Sequence, residues 1–215
     1  MKLDVASRIG AVTREVTGRE HEGRPARVII AARSYDAEMV DVWDALTNAQ
    51  RIPRWFLPVS GDLRLGGRYQ LEGNAGGTIT RCEPPRVVAV TWEFGGNTSW
   101  VNVTLTENPG GGTYLELEHI AHVPEEFWDQ FGPGAAGVGW DLAMMGLGQH
   151  LASGAPVDPQ AAMAWTLSEE GKTFVGASSE DWCRASMTAG TPGVAAKAAA
   201  ERTTAFYTGS APAAG

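Results

Sequence analysis

Cysteine is scarce: Cys82 and Cys183 are the only two in 215 residues, and they lie far apart. A disulfide framework is therefore not what holds this chain, and free thiols in a reducing compartment are expected. A basic excess is also missing. Seventeen Lys+Arg against twenty-five Asp+Glu give a net charge of -8 and a pI near 5.0. That argues against nucleic acid or an anionic membrane as partner, since both call for a basic footprint. No apolar run approaches the ~20 residues that span a bilayer. The first residues, MKLDVASRIGAVTREV, carry charges where a signal peptide needs its apolar region, so the expected location is cytoplasmic. Nucleophile elbow, P-loop and dinucleotide fingerprint are all lacking. The glycine-rich GPGAAGVG follows no strand, Ser99 and Ser153 have no base at readable spacing, and there is no convincing internal repeat.

What is present is ordinary globular composition, 43% hydrophobic and 20% charged, in a chain long enough for one domain with an extension. Residues 8–35 read as a hairpin: RIGAVTREVTGRE, a turn at HEG, then the β-branched RPARVIIAARSY. Ser34 or Asp36 is placed to cap a helix. Residues 41–57, DVWDALTNAQRIPRWFL, read as two short helices. Met39, Trp43 and Leu46 share a face of the first, and Thr47 with Gln50 forms a capping box that starts the second. From 61 to 122 the period becomes two. About six strands are separated by Gly66-Gly67, residues 74–77, Pro84-Pro85, residues 95–97 and residues 108–112, so neighbours are antiparallel. Val88, Val90, Trp92 and Phe94 share a face, as do Val101, Val103 and Leu105, and as do Leu115, Leu117 and His119. The opposite faces are polar, which predicts a sheet covered on one side.

EEFWDQF after Pro124 is a short helix, broken by Gly132-Pro133-Gly134. Residues 135–152 form a long one with Trp140, Met144, Leu147 and Leu151 as its stripe. Gly137, Gly139, Gly146 and Gly148 each cost it about 1 kcal/mol against Ala. Close approach of the sheet, or flexing, would be the return. Residues 153–159 read as a linker. Three helical pieces follow: one capped by Ser168, one capped by Ser178 or Ser179 and ended by Gly190, and one started by Pro192 and ended by Gly209. The final SAPAAG is expected to be disordered.

This order of elements resembles the START/Bet v 1-like (SRPBCC) superfamily, and within it the family named after the activator of Hsp90 ATPase. The resemblance rests on VWDALTNAQRIPRWF (42–56), LRLGGRYQLEG (63–73), GGTITRCEPPRVVAVTWEF (76–94) and GVGWDLAMMGLGQHL (137–151). It covers about residues 24–152. It implies an α+β helix-grip fold, a curved antiparallel sheet wrapped around a long C-terminal helix. The expected division is a domain over 1–155, with an extra strand at about 8–21, and a helical extension over 156–215. That extension would pack on the domain or in a dimer interface.

The resemblance further implies a cavity for a hydrophobic small molecule. Its candidate lining is Trp43, Trp55, Phe56, Tyr69, Arg81, Val90, Trp92, Val103, Leu117, His119, Trp140, Met144 and Leu147. Arg81 enters because it shares strand parity with Ile79, and a buried arginine would need an anion or carboxylate. His119 and His122, three apart on a strand, point to opposite faces and make no metal site; no cofactor is expected. Three readings stand. The favoured one is non-catalytic binding of a lipid, polyketide or similar apolar ligand. The second is a cyclase or dehydratase with His119 as acid–base. The third is an interaction module, chaperone cofactor or homodimer, in which Asp181-Trp182 and Phe206-Tyr207 could take part if they do not pack within the chain.

Overall fold

The structure, a computed structural model, describes residues 5–209. The closing SAPAAG lies outside them. The elements are α1 (Val5–Gly10), β1 (Val12–His21), β2 (Arg24–Tyr35), α2 (Met39–Thr47), a 3-10 turn (Ile52–Arg54), β3 (Val59–Gly61), β4 (Arg68–Leu71), β5 (Gly76–Glu83), β6 (Val87–Phe94), β7 (Asn97–Glu107), β8 (Thr113–Ala121), α3 (Glu125–Phe131), α4 (Gly134–Ser153), α5 (Pro159–Thr166), α6 (Glu169–Thr188) and α7 (Gly193–Thr208). The strands make one eight-stranded antiparallel sheet in the order β1-β2-β8-β7-β6-β5-β4-β3. This is the expected α+β helix-grip class, with extra C-terminal helices. The chain divides into two compact units. One comprises residues up to 31, 122–142 and 158 onward; the other comprises 32–121 and 143–157.

The first unit is organised by a buried carboxylate. Asp141 on α4 is 1% exposed, and its Oδ2 accepts from Arg14 Nε of β1 (2.9 Å), from Trp182 Nε1 of α6 (3.2 Å) and from Ser178 Oγ. Arg14 also reaches Asp181 at 2.7 Å. Burial pushes the Asp141 carboxyl upward, while Arg14, Ser178 and Trp182 pull it back. Removing one side of such a pair typically costs about 3–5 kcal/mol, because the other charge is left buried alone. Asp181-Trp182 thus packs within the chain, with Trp182 fully buried. Helix α7 is tied by Thr203 Oγ1 to the Phe131 carbonyl (2.8 Å) and by Tyr207 OH to the Ala135 carbonyl (2.9 Å). Phe206 beside it is 73% exposed.

In the second unit, strand pairing follows the period-two pattern. The β6–β7 turn uses Gly95 and Gly96 at φ 58° and 79°, as a tight two-residue hairpin requires. Arg51 anchors α2: its NH1 meets Asp41 Oδ1 (2.6 Å) and Asp44 Oδ2 (3.0 Å), and its Nε meets His150 Nε2 on α4 (3.3 Å). His150 Nδ1 bonds the Ala155 carbonyl, which leaves Nε2 as the acceptor for Arg51. Tyr35 OH donates to the Met144 carbonyl at 3.0 Å, fastening β2 to the second half of α4.

Several local expectations are corrected. Residues 8–10 end α1 rather than beginning a strand, because the Ala11 amide closes on the Ser7 carbonyl. Neither Ser34 nor Asp36 caps α2; Glu38 occupies the cap position without a side-chain bond. Thr47 opens no second helix. Its hydroxyl bonds back to the Trp43 carbonyl, and a 3-10 turn follows instead. DLRL is not a strand; β3 lies just before it. Ser178 and Ser179 sit inside one continuous α6 that starts at Ser168, because the Ser178 hydroxyl serves Asp141 instead of a helix end.

The glycines of α4 do mark close approaches, and not only to the sheet. In the first unit a Cβ at Gly137 would run into the Trp182 indole, and one at Gly139 would sit 3.1 Å from Tyr207 OH. In the second, a Cβ at Gly146 would lie 2.9 Å from the Trp55 carbonyl oxygen, and at Gly148 3.2 Å from Arg33. Gly137→Ala should therefore destabilise the protein by about 1–3 kcal/mol through overpacking. Gly176→Ala, in α6 with open space around it, should stabilise by up to about 1 kcal/mol. Urea unfolding of both variants checks this. A Gly137→Ala protein as stable as wild type would show that α4 and Trp182 are not in contact.

Candidate functional site

The second unit carries an apolar sheet face whose rows can be read from strand register. Ile79, Val90, Val101 and His119 stand directly opposite one another across β5, β6, β7 and β8. The adjacent row is Cys82, Val88, Val103 and Leu117. Beyond the first row, Trp92 faces Ser99. At the β4 side, Ile52, Tyr69, Leu71 and Ile79 form a buried cluster against which Phe56, Val90 and Trp92 pack while remaining half-buried. Trp55 stacks on Phe56 with centroids 5.3 Å apart. The polar ends of these rings are already engaged. Trp55 Nε1 donates to the Ala45 carbonyl (2.8 Å), and Tyr69 OH to the Thr91 carbonyl (2.8 Å). What this face offers is hydrocarbon, with one imidazole at its edge.

That imidazole has a partner that chain spacing concealed. His119 Nε2 lies 2.8 Å from Ser99 Oγ, across the β7–β8 pair. Ser99, set aside for want of a base, has one twenty positions along the chain on the neighbouring strand. A serine–histidine pair can be a nucleophile and its base. Here the serine proton is spent elsewhere, because Ser99 Oγ donates to the Trp92 carbonyl at 3.1 Å. With both bonds made, Nε2 is the donor to Ser99 and cannot accept its proton. Desolvation also lowers the His119 pKa to about 4. A base that weak is far from the operating pH at neutrality. The ring of Trp92 lies 6.4 Å from that of His119. His119 is thus a neutral, oriented imidazole in apolar surroundings.

The other predicted residues divide as follows. Val103 and Leu117 are a buried cross-strand pair, and Met144 and Leu147 are buried on the second half of α4. Trp43 is half-buried on α2. Trp140 is half-buried and belongs to the first unit. Arg81 does not face inward: it is exposed and paired with Glu83 at 2.7 Å. A bulge between Ile79 and Arg81 breaks the alternation on which that expectation relied, so Cys82 takes the apolar side. Cys82 and Cys183 are free thiols. Among the described residues no three His, Cys, Asp or Glu side chains gather as a metal site, and no helix is long and apolar enough to cross a membrane. Arg33 on β2 also meets α4, at Gly148, and sequence reasoning passed over it as one charge in an apolar strand.

Comparison with known proteins gives a family and several structural relatives. Residues 36–152 match the family described as Activator of Hsp90 ATPase homolog 1-like protein. The crystal structure of CalU16 from Micromonospora echinospora is 35% identical, covering 84% of this chain and 99% of that one, with a TM-score of 0.63. The solution structure of the same protein gives 34%, 83% and 97%, with a TM-score of 0.68. Because 84% exceeds the share taken by residues 36–152, the similarity to CalU16 includes residues outside the family segment. DynU16, a protein of the dynemicin biosynthetic locus, shares the fold at 21% identity and TM-score 0.53, over 60% of this chain and 48% of its own. No curated protein matches in sequence.

The depressed His119 pKa predicts a pH signature. Between its ordinary value of 6.5 and about 4, the unfolded chain binds a proton that the folded one refuses. The stability present above pH 6.5 is therefore lost as pH falls towards 4, at no more than about 1.4 kcal/mol per pH unit for one proton. His119→Gln should show a shallower fall than wild type over this window. Parallel slopes in urea titrations at several pH values would refute the assignment.

Proposed function

The chain belongs to the Activator of Hsp90 ATPase homolog 1-like family, and from that premise we propose that its second unit binds an apolar small molecule, of lipid or polyketide kind, against the inner face of the sheet. The observation that carries this reading is the state of the aromatic side chains there. Phe56, Trp92 and Trp55 are large and half-buried, while the ring heteroatom of Trp55 and the hydroxyl of Tyr69 are already bonded to backbone. An apolar face with few unspent polar groups suits a ligand that is mostly hydrocarbon. Burying such a ligand contributes about 25 cal/mol for each Å² of apolar surface removed from water. His119 supplies a neutral polar contact at the edge of the site. Its role is orientation, since its Nε2 proton is committed to Ser99 and its basicity is low.

Binding can be followed with N-phenyl-1-naphthylamine, a neutral fluorophore that brightens in apolar surroundings, and by native mass spectrometry of freshly purified protein. Wild type should take up the probe with saturation or retain a co-purified apolar molecule. Val90→Trp, which puts an indole at the centre of the first row, should weaken uptake at least tenfold while the far-UV spectrum stays unchanged. Absence of both uptake and retained ligand in wild type, or undiminished uptake by Val90→Trp, would remove this reading.

A further inference from the structure

The chain has more acidic than basic side chains, and two of its half-buried arginines hold acidic partners. Arg14 lies between Asp141 and Asp181, and Arg51 between Asp41 and Asp44. Arg33 differs from these two. Its Nε is shielded from water and has no hydrogen-bond acceptor. The guanidinium lies over the ring of Tyr35, 5.1 Å from its centroid. One terminal nitrogen lies beside Gly148 of α4, 3.2 Å from where a Cβ would stand. Arg33 and Tyr35 are two apart on β2 and so share a face. That face looks at α4, because Tyr35 OH is bonded to the Met144 carbonyl.

Tyr35 cannot neutralise its neighbour. Its proton is held on Met144, and burial raises its pKa, so it remains a neutral phenol. Cation–π contact orients the guanidinium but leaves its full charge. A shielded donor without an acceptor is costly to keep, and here it is the Nε of a half-buried arginine. Gly148 lets the guanidinium lie close against α4, since a Cβ there would crowd its terminal nitrogen at 3.2 Å. A guanidinium fork fits a carboxylate edge to edge, with two parallel bonds.

We propose that Arg33 is an anion-binding residue of the second unit, and that the apolar molecule it holds carries a single carboxylate which pairs with the Arg33 guanidinium. The inference rests on the apolar-ligand reading and narrows it to amphipathic acids. Arg33 then has the role that sequence parity assigned to Arg81.

The test compares dodecanoate with 1-dodecanol as competitors for bound N-phenyl-1-naphthylamine. Wild type should prefer the acid at least tenfold. Arg33→Met should abolish that preference and leave displacement by the alcohol unchanged; Arg33→Lys, which keeps the charge but not the fork, should retain part of it. Equal affinities in wild type, or a preference that survives in Arg33→Met, would overturn the role of Arg33 and leave the apolar site standing. Displacement by neither compound in wild type would overturn the apolar site, and this inference with it. Wild type alone decides the first comparison, so a poorly folded Met variant does not block the test.

Discussion

Close backbone approach to α4 is the constraint on which most of the packing depends. Each glycine in that helix weakens it locally, since glycine has the most conformational freedom to lose. Each is also a place where a neighbour sits too near for a side chain. Trp182 fills the notch at Gly137, the Trp55 carbonyl meets Gly146, and Arg33 meets Gly148. These notches admit an indole, a peptide group and a guanidinium, three groups of quite different chemistry. The helix therefore acts less as an apolar rod than as a surface with cut-outs.

Buried polarity is handled in three different ways. Asp141 gathers an arginine, a serine and a tryptophan on one oxygen, while its other oxygen has no partner. His150 is satisfied on both ring nitrogens, by Ala155 and Arg51. His119 stays neutral and donates to a serine whose own proton goes to the backbone. In the first two cases polarity holds elements together. In the third it orients a group on an apolar face.

Much of this was legible in the chain. Alternation from 61 to 122 marked the strands, and glycine and proline punctuation placed α3, α4 and α7 within a residue or two. The order of elements identified the fold. What escaped notice depends on contacts between distant residues. Ser178 and Ser179 look like a helix start because serine usually competes with the backbone there; only the buried Asp141 explains the place of Ser178 in mid-helix. Thr47 and Gln50 have the spacing of a capping box, yet Asn48 takes the Gln50 amide. The Ser99–His119 contact joins adjacent strands at a diagonal, and no linear spacing rule encodes a diagonal. Arg33 was invisible for a different reason: what marks it is a shielded Nε without an acceptor, and a sequence cannot show that a donor is unsatisfied.

The bulge in β5 makes inside and outside a matter of counting. Before it, strand phase places Ile79 on the apolar side; after it, the phase is reversed, so Cys82 lies there and Arg81 meets water. Substitution along this strand can drift without disturbing which positions face in. A change of length at this point cannot, because a one-residue slip exchanges the two faces. The strand's tolerance is thus written in residue number more than in residue type, and a single-codon deletion here would exchange the faces of the strand beyond it.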